Sequence, residues 1–154
     1  MANPGPAALV TQQAVAVVTP VNTSNNPVVQ GANALRLIAV ARGMSVAGLG
    51  DIPIPVINAG VWAPATVVIT NSQLAGVSGS VAAATLSINS GAGVTGTSIR
   101  ASATLAANTA ATVFSAAAAA TLNVALTVQT IFANVTVAVA TGTVDVFIYG
   151  YDAT

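Results

Sequence analysis

The chain has 154 residues, 55% of them hydrophobic and 4% charged, with three arginines, three aspartates and a formal net charge of zero. An average globular chain carries roughly 25% charged residues, so little electrostatic repulsion keeps copies of this one apart and association is favoured. Cys, His, Lys and Glu are absent, which excludes disulfides, thiolate nucleophiles, zinc–thiolate sites, the commonest general base and lysine Schiff bases.

Three scattered arginines make no basic stripe of the kind that nucleic-acid binding requires. No run of about 18 apolar residues offers a membrane span. One Trp, two Tyr and three Phe are thin material for the aromatic girdles of a membrane barrel. The opening MANPGPAALV has no basic n-region and is interrupted by Pro4 and Pro6. The chain is therefore expected to act without crossing a membrane by the signal route.

Residues 1–33 are punctuated by Pro4, Pro6, Pro20 and Pro27 and carry the polar connector Val21-Asn22-Thr23-Ser24-Asn25-Asn26. They read as an extended N-terminal arm ordered against a neighbour, or as a disordered tail. Residues 34–154 read as the folded domain. Leu35 to Ala41 reads as a strand or as one or two helical turns, with strand favoured, and Gly43, Gly48 and Gly50 close it. In DIPIPVI at 51–57 the two prolines lack amide protons, so the segment belongs at a sheet edge. Pro53 and Pro55 share one side there, and Ile52, Ile54 and Val56 face a core.

Thr66 to Thr70 is the next predicted strand, with Trp62 before it as a core plug or lid. Asn71 to Ser80 is a loop, and Val81 to Asn89 alternates as a strand. Gly91-Ala92-Gly93-Val94-Thr95-Gly96 satisfies a loose G-x-G-x-x-G, but neither an amphipathic helix nor a spaced acidic residue follows it, so it reads as a turn. Ala116 to Ala120 favours helix on intrinsic propensity. Its neighbours are strand-like, and short isolated helices are marginal, so strands with a small-residue connection are expected.

Thr121 to Val128 has the cleanest period-two pattern. Ile131 to Tyr151 reads as a hairpin: Val135, Val137 and Val139 on one arm, Val144, Val146 and Ile148 on the other, with Gly142 free to take positive φ. Seven or eight short strands with regular turn signals imply two packed sheets. Their valine- and alanine-rich core is thin, so burial between subunits is the natural supplement.

Residues 50–152 show a DIPIPV entry strand, then ATVVITNS at 65–72, an Ala/Thr-rich middle, TLNVALTV at 121–128, TIFANVTVAVA at 130–140 and TVDVFIYGYD at 143–152. In this order the chain resembles the head decoration or cement proteins of tailed bacteriophages. The resemblance implies an all-β, antiparallel β-sandwich of jelly-roll type on the outer capsid surface, made in the host cytoplasm. It also implies a homotrimer whose arm bridges the major capsid protein and neighbouring cement subunits. No catalytic residue, cofactor or metal ligand comes with the resemblance.

The chemistry-bearing residues are few. Asp51, Asp145 and Asp152 would need to converge to act as acid and base, and no D-x-D-x-D-G spacing marks a calcium loop. Asp145 is expected to be exposed or paired with an arginine. Arg36, Arg42 and Arg100 are candidate partner contacts, since a guanidinium grips a carboxylate through two bonds. Pro20, Pro27 and Trp62 complete the candidate contacts. A non-enzymatic structural protein is the reading that follows. The alternative is a receptor- or carbohydrate-binding module of a phage tail, fibre or cell surface, using Trp62, Tyr149 and Tyr151.

Overall fold

The fold is described from a computed structural model covering residues 35–57, 59–110, 114–120 and 124–152. The arm expected over residues 1–33, including Pro20 and Pro27, lies outside the described residues. The elements are β1 (Leu35–Ser45), β2 (Gly50–Pro55), β3 (Trp62–Leu74), β4 (Val77–Ser78), β5 (Thr85–Gly91), β6 (Thr95–Thr104), β7 (Phe114–Ala118), β8 (Thr130–Val137) and β9 (Gly142–Asp152). No helix occurs among the described residues.

The strands form two antiparallel sheets. One runs β1-β9-β3-β4 with β7 also paired to β3, and the other runs β2-β8-β5-β6. Alternation along the strands sends one row of side chains inward from each sheet. Ile38, Val67, Ile69, Val144, Val146 and Ile148 meet Ile54, Leu86, Ile88, Ile99, Ile131 and Val135 in a single buried cluster. Each large aliphatic side chain there stabilises the fold by ~1.5–3 kcal/mol. The long sides are stitched by backbone bonds between sheets: the Ile57 amide donates to the Ile38 carbonyl at 2.7 Å, and Ala120 to Ile99 at 2.7 Å.

Several sequence expectations are met. Pro53 and Pro55 are exposed on β2, the edge strand of its sheet, while Ile54 is buried between them. Ala116 to Ala118 is not helical, as expected, but it is strand and not the connection between strands: it pairs with Val68 to Thr66 of β3, so cross-strand pairing overrides helix propensity. The 91–96 segment is the β5–β6 turn.

The hairpin expected over residues 131–151 is not formed. β8 pairs with β2 and β5, whereas β9 pairs with β1 and β3, so the connection crosses from one sheet to the other. Within it Thr141 has positive φ (58°), not Gly142. Gly142 is required for closeness: a Cβ there would lie 2.8 Å from the Val139 carbonyl oxygen and 2.9 Å from Val46 Cγ2. The described part of the strand expected over Thr121 to Val128, residues 124–128, is not a strand either. Residues 121–123 lie outside the described residues, and in 124–128 only Leu126 makes a bridge, to Trp62. Asn71 to Ser80 is not all loop, because β3 extends to Leu74 and turns into β4; Val81 to Ala84 precedes β5 as a turn.

Gly142→Ala should therefore lower stability by about 1–3 kcal/mol through overpacking, read as a lower urea midpoint with unchanged slope. Gly48→Ala, where a Cβ meets nothing within 4 Å, should shift the midpoint far less.

Candidate functional site

The ionisable groups are dispersed over the fold. Arg36 donates to Asp152 at 2.5 Å, with half of the arginine side chain in solvent. Asp51, on β2, accepts from Asn134 Nδ2 and from the Gly93 amide, each at 2.7 Å. The second of these bonds carries the β5–β6 turn across β8 to reach β2. Asp145 accepts from the Gly43 amide at 2.6 Å and from Asn71 Nδ2 at 3.2 Å and is only 8% exposed. It is thus neither exposed nor paired with an arginine. The irregularity in β1 between Ala41 and Met44 brings the Gly43 amide to it, and an amide partner of this kind leaves no mark in sequence.

Asp145 and Asp152 lie on one strand seven residues apart, roughly 24 Å at strand rise; Asp51 belongs to the other sheet. These carboxylates do not converge as an acid–base pair. No cluster of three or more metal-ligating residues occurs among the described residues.

Arg100 donates to the carbonyls of Leu86, Ala103 (3.3 Å) and Thr104 (3.4 Å). Burial pushes its guanidinium below the ordinary arginine value, and the three carbonyls hold it against its own β5–β6 pair. Arg42 is exposed and stands over the Phe147 ring, 5.3 Å from its centroid. Trp62 is fully buried. Its backbone exchanges two bonds with Leu126, at 2.9 and 2.7 Å, and its Nε1 donates to the Val128 carbonyl at 3.2 Å. The core plug is what Trp62 is, and it stands away from any surface at which a partner or a glycan would meet it.

The structure brings together a surface that the individual candidates did not suggest. The register of the first sheet aligns Leu35 with Tyr151 and Ala63, then Leu37 with Tyr149, Thr66 and Ala118, then Val40 with Phe147, Val68 and Ala116. Because Val146 and Ile148 point into the core, Phe147, Tyr149 and Tyr151 point away from it. The result is a face four strands wide on which Leu35 is 53%, Leu37 39% and Tyr151 44% exposed. Arg42, over the Phe147 ring, and the satisfied Asp145 are its formal charges among the described residues.

The outward face of the second sheet differs. Its rows are Asp51, Asn134, Ser87 and Pro53, Phe132, Asn89, Ser98, mostly polar and crossed by the β5–β6 turn. The sequence signal for the apolar face was the Phe147–Tyr149–Tyr151 alternation. What sequence does not supply is the flanking rows, which depend on which strands pair with β9.

Asp145→Ala should cost about 1–3 kcal/mol, since it removes the charge-assisted bonds that the Gly43 amide and Asn71 Nδ2 donate to a carboxylate only 8% exposed. Arg36→Ala, at a pair whose guanidinium is half in solvent although Asp152 is buried, should cost less, about 1 kcal/mol. Urea unfolding followed by the emission of the single tryptophan measures both; equal losses would contradict this ranking.

Comparison of the chain with protein-family models, with curated proteins and with solved structures finds no match in any of the three.

Proposed function

We propose that the chain is a non-enzymatic virion protein that coats and reinforces the outer surface of a phage head. The observation that carries this reading is the broad apolar outer face on β1, β9, β3 and β7 in a chain with so few charges. Exposed apolar area of this extent is a liability in free solution and an asset in a close-packed shell. The three carboxylates are occupied by donors of their own chain, which supports a structural role for them over a chemical one.

The jelly-roll part of the reading is supported by strand order. With the two-residue β4 set aside, the eight remaining strands are ordered 1-8-3-6 in one sheet and 2-7-4-5 in the other. That is the order expected of a jelly roll, an architecture used by viral capsid proteins and also by lectins and cupins. Architecture alone does not decide among these. The apolar outer face and the burial of Trp62, the largest aromatic available for sugar stacking, favour assembly.

In this reading, subunits associate as trimers, residues 1–33 lie across neighbouring capsid or cement subunits, and the folded domain caps the shell. Reinforcement follows from mass action: a protein that binds the assembled shell and not its separated parts makes disassembly less favourable by RT ln(1 + [L]/Kd). Heads assembled from the capsid protein encoded alongside this chain provide the test. The purified chain should co-sediment with them and raise their disruption temperature, and deletion of residues 1–30 should weaken binding at least about tenfold while Trp62 emission stays that of a folded core. Unimpaired binding by the deletion would remove the arm from the account; no binding by the intact chain would remove the capsid.

A further inference from the structure

The face described above needs an occupant, and its chemistry restricts which one fits. It spans four strands at ~4.8 Å and about eight residues at ~3.3 Å, roughly 500 Å² in projection. Counted on two surfaces this is roughly 1,000 Å², the lower bound for a specific protein–protein contact. Its centre is Phe147, Tyr149 and Val68, flanked by Leu37 and Val40, with the Arg42 guanidinium over the Phe147 ring; aromatic residues and arginine are what interfaces are enriched in. Nucleic acid and acidic partners are poorly matched, because Arg42, over the Phe147 ring, is the one cation of this face among the described residues.

A second copy of the chain meets these requirements. It carries no net charge, and it presents an equally apolar, equally large surface. A contact of this face with itself is two-fold symmetric, so it joins copies belonging to neighbouring trimers and is not the contact within one trimer. Sheet edges offer copies less. β2 is blocked by Pro53 and Pro55, and β1 and β6 are each engaged by bonds from the opposite sheet's connections.

We infer that copies of this chain associate through the outward face of the β1-β9-β3-β7 sheet, with Leu37, Val68, Phe147, Tyr149 and Tyr151 at the contact. This rests on the reading of the chain as an assembling virion subunit and assigns the surface by which it assembles.

Sedimentation equilibrium over a concentration series tests it with three proteins: the wild type, the double variant Leu37→Asp/Tyr151→Asp, and Thr130→Asp as a control on the exposed outer side of β8. Both residues of the double variant are well exposed in the single chain, so its fold should persist, checked by Trp62 emission and the urea midpoint. If that protein does not fold, Leu35→Asp, at the more exposed rim, takes its place. The expected result is an oligomeric wild type, self-association weakened about a hundredfold in the double variant, and an unchanged control. An oligomer indifferent to the face variants overturns the assignment, as does a wild type that stays monomeric throughout. Head binding by a monomeric wild type would leave the virion reading standing while this inference fell, so the two failures are distinguishable.

Discussion

The pairing of β9 on both edges is the constraint on which the rest of the molecule depends. Between β1 and β3 its backbone groups are satisfied, and its alternation fixes two surfaces at once. Val144, Val146 and Ile148 go to the core. Phe147, Tyr149 and Tyr151 are placed outside by the same register, since a slip of one residue would exchange the two sets. The side chains that hold the sheets together and those that leave an apolar exterior are thus products of one strand. Three buried aliphatics at ~1.5–3 kcal/mol each are comparable with the net stability of a small domain, about 5–15 kcal/mol.

A second constraint is the scarcity of charge. Asp152 meets Arg36, Asp51 holds the β5–β6 turn against β2, and Asp145 serves the Gly43 amide and Asn71. Each carboxylate fixes a piece of backbone or a neighbouring strand, Asp145 and Asp152 from buried positions and Asp51 from the outer side of the second sheet. Arg100 is likewise spent on three carbonyls of its own hairpin. Apart from Arg42 and the satisfied Asp145, what faces outward on the first sheet is therefore mostly aliphatic, aromatic or hydroxylic, which is the physical basis of the proposed assembly.

Much of the secondary structure was legible because it is local. Pro53 and Pro55 fix an edge strand by lacking donors, and the β-branched run of Thr66 to Thr70 and the alternation of Val144 to Ile148 mark strands by themselves. Pairing was less legible. The stretch from Val139 to Val144 has the length and composition of a hairpin turn, yet an antiparallel crossover between packed sheets asks for the same residues; what decides is the fit of Val46 and Val139 against Gly142. Thr121 to Val128 alternates well, but among its described residues only Leu126 finds a strand partner, at Trp62. The apolar face lay half visible in the aromatics of β9, and its other half waited on knowing that β1, β3 and β7 lie beside it. Asp145 could not be read correctly, because its partner is a backbone amide exposed by an irregularity in β1.

Electron cryomicroscopy of the assembled particle tests the central claim most directly. The account predicts density for this fold on the exterior of the head, with Leu37, Val68 and Tyr149 covered by a neighbouring subunit. Particles that lack the chain, or that carry it with that face open to solvent, would contradict it.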